Sequence, residues 1–369
     1  MKNAALIVYS LSFAVFFAGC FPANKVSMHE DPSVHSEAEP FDSIIPLVIS
    51  ENDFHSVVDW TDNTAFIYIT QSQHFFSVNK YDILTGKSNV ILTREGKLNT
   101  ASLSPSKELL LLHEADEVYG ANASVLMMNS MKEVWSQPIE SYELAYSWNP
   151  ADERKILFTA FDENWEYEVW TADIEKSEWQ QLSGIPPFLT WSSEASIIYQ
   201  TWSKEMTEPH QAVYEYFIET GIEKQAYDDV FAFDLLPEMF ITVKVDEEKE
   251  SFTFEIEGYT KKIVFEVPAV HTYSQWVLPE YDIAQEAGKL ILFKPNKSGE
   301  LYSKDKGFSL VSLNLNTNEE TIINQLANNE PLACSPNGLY CLTGYQLTSI
   351  AEIEKGEISS LIIFEEDLQ

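Results

Sequence analysis

The sequence predicts an all-β chain built by repeating one four-stranded antiparallel sheet, and three observations predict it. The stretch 144–182, LAYSWNPADERKILFTAFDENWEYEVWTADIEKSEWQQL, reads as four short strands separated by polar turns. Leu144, Tyr146 and Trp148 alternate with smaller residues at the period of a strand, and Asn149-Pro150-Ala151-Asp152 carries the turn chemistry that ends it. Second, the turn between the third and fourth strands recurs along the chain. It is found in YDILTGKSNVILT (81–93), MMNSMKEVWSQ (127–137), TADIEKSEWQQL (171–182) and YFIETGIEKQAY (216–227), then in EIEGYTKKIVFEV (255–267), LNLNTNEETIINQ (313–325) and AEIEKGEISSLIIF (351–364). Third, first strands fall in step with these turns, in SVVDW (56–60), TASLS (100–104), LAYSW (144–148), PFLTW (187–191), FAFDL (231–235), YSQWV (273–277) and PLACS (331–335). A repeat of roughly 44 residues, each a hairpin pair, is one blade of a β-propeller. The expectation is seven blades, with six or eight as alternatives.

The elements follow in chain order. Met1 and Lys2, an apolar run from Ala4 to Ala18, then Gly19 and Cys20 have the form of a secretory signal over residues 1–19. Residues 20–43 are rich in Pro, Ser, Glu and Asp and poor in residues able to build a core, which predicts a disordered acidic tether. The propeller is expected over 44–369. Its last blade should take 359–364 as fourth strand, because a local hairpin closes at lower entropic cost than a distant pairing. Residues 44–50 would then add outside that strand or displace it.

The ending Phe17-Ala18-Gly19-Cys20 resembles a bacterial lipobox, which implies lipidation of Cys20, anchoring in the cell membrane and exposure on its extracytoplasmic face. Ser104-Pro105-Ser106-Lys107 and Ser335-Pro336-Asn337-Gly338 resemble the Ser-Pro-Asp-Gly-like turn of TolB-like and WD40-like propellers. Lipobox and divergent propeller together resemble the YqgU-like lipoproteins of Gram-positive bacteria, a family with no assigned chemistry.

Charge narrows the partners. With 58 acidic residues against 23 Lys and Arg, the formal net charge is −35. Such a field repels nucleic acid and anionic surfaces and favours cationic ones. Adjacent acids such as Asp162-Glu163 lack calcium-loop spacing, and the histidines lack a zinc signature. No cofactor or metal is expected. Cys334 and Cys341 flank the Asn337-Gly338 turn and should face each other across a hairpin, as a disulfide or as two buried thiols.

No nucleophile elbow is present. Leu84-Thr85-Gly86-Lys87-Ser88 ends like a phosphate loop, but Tyr81 stands where the first Gly is required. What remains is surface. Loops joining second to third strands are longer and bear aromatics, and loops on a rigid scaffold commonly carry function. Tyr119, Asp162, Glu163, Trp165 and His210 are therefore the candidate partner-binding residues. The expected role is a non-catalytic binding or assembly module, monomeric, for a cationic protein or peptide. Two rivals stand beside it, an envelope hydrolase or lyase with an acidic central funnel, and a structural part of an envelope complex.

Overall fold

The computed structural model describes residues 43–117, 120–201, 210–236, 239–258, 261–303 and 307–368. Cys20, with the signal and nearly all of the tether, lies outside the described residues, as do Tyr119 and Trp202. Seven four-stranded antiparallel sheets follow one another along the chain, spanning 54–95, 98–140, 143–182, 189–230, 232–268, 281–327 and 332–360. Each is a meander whose strands lie in chain order. In the third sheet, Leu144 faces Ala160 and Trp148 faces Ile156, the register its alternation requires.

Second strands are nearly continuous apolar runs, such as AFIYITQ (Ala65–Gln71) and KILFTAF (Lys155–Phe161), and are buried on both faces. That pattern fits a sheet covered on either side by its neighbours. Seven buried clusters lie between successive sheets, and the last of them joins the seventh to the first through Trp60, Phe66, Leu342 and Ile350. Among the described residues, the cluster between the fourth and fifth sheets is the thinnest, with Ile198, Val213 and Val230 buried.

First strands line the axis. They are Phe54–Trp60, Leu98–Leu103, Glu143–Trp148, Leu189–Trp191, Ala232–Leu236, Tyr281–Ala284 and Leu332–Cys334. Each pairs with a second strand on one side only, so its other edge carries backbone groups that need partners. Indoles also tie neighbouring first strands together. Trp60 Nε1 donates to Ala333 O at 2.8 Å, Trp191 Nε1 to Ser147 O at 3.2 Å and Trp148 Nε1 to Ser102 Oγ at 3.2 Å.

Two expectations are corrected. The first strand of the sixth sheet is Tyr281–Ala284, not 273–277. The alternation around Trp276 belongs to a small three-stranded sheet in the connection between the fifth and sixth sheets, where Val270 and His271 pair with Trp276 and Val277. Ring closure also differs. Glu357–Ser360 alone is the fourth strand of the last sheet, and Leu361 turns away with its N–H on Thr348 O at 2.9 Å. Ile362–Phe364 then pairs in parallel with Leu47–Ile49. The two ends of the body thus form a separate ribbon over the cluster shared by the first and last sheets.

Trp60 is 1% exposed and packs edge-on against Phe66. Trp60→Ala should cost about 3–5 kcal/mol of unfolding free energy. Trp60→Phe, which keeps most of the ring and loses the indole's hydrogen bond to Ala333 O, should cost roughly 1–2 kcal/mol. Denaturant titration of both variants checks the two figures.

Candidate functional site

The meander gives the molecule two unlike ends. Turns between first and second strands share one end with turns between third and fourth strands. The opposite end carries the loops between second and third strands and the connections between sheets.

At the first end neighbouring turns bond to one another. Asn149 Nδ2 donates to Ser193 O at 3.0 Å, Asn337 N–H to Asn63 Oδ1 at 2.9 Å, and Glu286 N–H to Pro336 O at 3.0 Å. Glu153 accepts from both the backbone N–H and the hydroxyl of Ser106. Gly338 sits at φ +65°, and a Cβ there would lie 2.7 Å from Ala284 Cβ, so the last turn rests directly on the sixth sheet.

A funnel of about 610 Å³ opens at this end, and the first strands or following turns of all seven sheets line it. Its apolar wall includes Leu103, Trp148, Leu235, Leu236 and Ile283, and its charged groups are Asp59, Asp62, Lys107, Asp282 and Glu286. Lys107 pairs with Asp59, and Lys80 with Asp62 at 2.8 Å. Asp282 accepts from Ile283 N–H at 2.7 Å and from Cys334 N–H at 2.6 Å, the latter on the next sheet. Burial is the main cause that pushes its carboxyl up to about 7, opposed by those two backbone bonds and reinforced by Asp59. No His or Arg is among the described residues of the lining.

The opposite end carries the candidate residues. Asp162, Glu163 and Trp165 share the loop between Lys155–Phe161 and Tyr167–Asp173. Asp162 Oδ1 accepts from Asn164 N–H at 2.8 Å and Glu166 N–H at 2.9 Å, which shapes the loop. That geometry holds Trp165 at φ +63° with its ring 59% exposed, resting edge-on against Phe161. Glu163 is exposed beside it. His210 stands on the corresponding loop of the fourth sheet, half-buried, with Nδ1 3.2 Å from Asp229 Oδ1.

Sequence reasoning missed most of this end's aromatic surface. Phe75, Tyr142, Phe188, Tyr273, Tyr302 and Tyr345 are also exposed, and each lies on or beside a loop of this same end. Among the described residues, no exposed aromatic ring is found at the other end. For Tyr142, Tyr273, Tyr302 and Tyr345 the legible signal was an aromatic beside Gly, Ser or Gln in a connection or loop rather than in an alternating run. Asp59, Lys107 and Asp282 were missed as well, although Lys107 fills the turn position that Gly338 fills in the sister motif. Cys334 and Cys341 face each other in register, and the structure joins them as a disulfide beneath the last turn.

The fold defines the class, an all-β propeller of four-stranded antiparallel sheets around an acidic funnel. The family model described as a YqgU-like 6-bladed beta propeller domain matches residues 82–344, and the chain belongs to that family. It is similar to the uncharacterized lipoprotein YqgU of Bacillus subtilis (strain 168), 24% identical over 99% of this chain and 97% of the relative. Among solved structures it is similar to the uncharacterized protein lmo1340 of Listeria monocytogenes EGD-e, with TM-score 0.80 at 17% identity over 87% of this chain and 98% of that one. It is also similar to an oligogalacturonate lyase in complex with manganese, with TM-score 0.54 at 10% identity over 79% and 85% of the two chains. At these identities the structural likenesses establish the fold alone.

The funnel carboxylate gives a pH signature. A carboxyl raised from 3.8 to about 7 binds its proton more tightly in the folded state. Its contribution to stability is complete below about pH 4 and is lost as pH rises to about 7. Between pH 5 and 8 the native protein should therefore lose roughly 1–3 kcal/mol relative to Asp282→Asn. Thermal unfolding of both proteins across that range measures the difference.

Proposed function

We propose that the protein is a lipid-anchored, extracytoplasmic propeller that binds a cationic protein or peptide without catalysis, through the end carrying Asp162, Glu163, Trp165 and His210. The observation that carries this reading is the gathering of exposed aromatic rings at that end. Aromatic side chains supply large, rigid contact area and dominate binding hot spots. The net charge of −35 supplies the field that draws a basic partner in. The opposite end has its turns bonded to one another and, among the described residues, shows no exposed aromatic ring. Anchoring rests on the lipobox-like Cys20 and on the full-length similarity to a lipoprotein.

We count each four-stranded sheet as one blade, which makes seven. The family description counts six. Support for seven comes from the buried clusters between successive sheets and from the funnel, which takes residues from every sheet.

A second reading is an envelope hydrolase or lyase working in the funnel, and Asp282 beside Asp59 and Lys107 is the observation in its favour. The same acids weigh against a polyanionic substrate. Turnover of a glycan or peptide panel that disappears in Asp282→Asn would establish that reading instead.

The binding face is tested by crosslinking in intact cells and affinity capture. Trp165→Ala should reduce capture of the partner at least tenfold and change unfolding free energy by less than about 1 kcal/mol, because the ring is mostly in solvent. Capture should weaken as salt rises. A variant that unfolds readily, with capture per folded molecule intact, would place Trp165 in the core and the site elsewhere.

A further inference from the structure

The funnel at the sealed end holds four carboxylates, and their charges are compensated unequally. Asp59 has Lys107 and Asp62 has Lys80. Among the described ion pairs, neither Asp282 nor Glu286 has a cation. Asp282 belongs to the funnel wall, where both of its oxygens accept only backbone N–H groups. Glu286 stands exposed in the turn at the mouth, within 3.5 Å of the neutral amide of Asn63. Three residues lie between the two acids, and the four steps of chain span at most about 14 Å. The same funnel is lined by the apolar Leu235, Leu236, Ile283 and Trp148.

The protein already places one alkylammonium in this funnel. Lys107 occupies φ +64°, the conformation that the sister turn gives to Gly338 at φ +65°. A side chain at that position costs of order 1 kcal/mol over glycine. The lysine lies within the lining and carries its ammonium from the second sheet onto Asp59 of the first. The funnel's wall thus already carries a four-carbon chain ending in a cation.

From this geometry we infer that the funnel is a binding site for an aliphatic di- or polyamine, with one ammonium on Asp282, its methylene chain along the apolar wall and a second ammonium on Glu286. Lys107 stays on Asp59 and keeps that carboxylate from competing. A carboxylate desolvated without a counter-ion gains most from a cation, and the methylene segments replace water on the wall. The site is at the opposite end from the proposed partner face and stands or falls independently of it.

The charge on Asp282 also sets how binding depends on pH. The groups facing it are Asp59 and Lys107 across the funnel, with Asp62 and Glu286 nearer the mouth and Tyr281 on its own strand. Aliphatic amines stay charged throughout the neutral range, so the titrating partner is the carboxylate. With its carboxyl pushed up to about 7, it is largely ionised at pH 8 and largely protonated at pH 6. Affinity should fall about tenfold between those values, with proton release on binding near pH 7.

Isothermal titration of the purified full chain with spermidine, cadaverine and butylamine tests the assignment. The expected result is one site for spermidine and cadaverine, tighter at pH 8 than at pH 6 by about tenfold. Asp282→Asn should weaken both at pH 8 by at least tenfold and remove the pH dependence. Glu286→Gln alters only an exposed side chain at the mouth and keeps the test valid if Asp282→Asn folds poorly. It should weaken cadaverine and spermidine severalfold and leave butylamine unchanged. Glu163→Gln, at the other end, should change nothing. Several weak sites that vanish with salt and respond equally to all three substitutions would overturn the proposal, as would an absence of measurable heat for either polyamine at pH 8.

Discussion

A strand that lines the axis of a ring has a partner on one side only, and the groups on its free edge must be satisfied by something other than a sheet ladder. Here the indoles of Trp60 and Trp191 bond first strand to first strand at Ala333 O and Ser147 O, and Trp148 reaches Ser102 Oγ. Between the sixth and seventh sheets the Asp282 carboxylate satisfies one such free-edge group, Cys334 N–H. Each contact joins the first strand of one sheet to that of its neighbour. Apolar clusters press the sheets together, while these directional bonds fix how far one sheet can slide along another.

The two ends acquire different characters from this arrangement. All of these bonds lie where first strands finish, close to turns that bond to one another through Asn63, Asn149, Glu153 and Glu286. Loops at the opposite end are tied in places too, as by Leu98 N–H on Gln71 Oε1 at 2.7 Å. Asp162 folds its own loop locally, through Asn164 and Glu166, and the outcome is an indole turned to solvent. A rigid ring whose exposed loops are shaped by contacts of their own can vary its surface without endangering its core.

Much of the architecture was legible in the sequence because hairpin register is a local property. The alternation of Leu144, Tyr146 and Trp148, the turn at Asn149-Pro150 and the recurring third-to-fourth turns each encode their own sheet. Legibility failed where the determinants were distant. The run around Trp276 alternates like a first strand, yet it serves a three-stranded insert, and only the pairing of Tyr281–Ala284 with Lys289–Pro295 reveals the difference. The parallel pairing of Leu47–Ile49 with Ile362–Phe364 joins segments at opposite ends of the body, which no local pattern signals. Trp165 was legible as a loop aromatic, whereas Asp282 reads in sequence as one acid among 58. Its distinction comes from burial and from a neighbouring sheet's N–H.

The central claim is that indoles bracing the ring and aromatic rings offered to a partner occupy opposite ends of one molecule. Hydroxyl-radical footprinting of the full chain, with and without a cationic oligolysine, tests it most directly. Trp165, Tyr273, Tyr302 and Tyr345 should oxidise readily in the free protein and be protected by the peptide. Trp60 and Trp191 should stay unoxidised in both. Protection confined to the funnel end, or oxidation of Trp60 and Trp191 in the folded protein, would contradict the account.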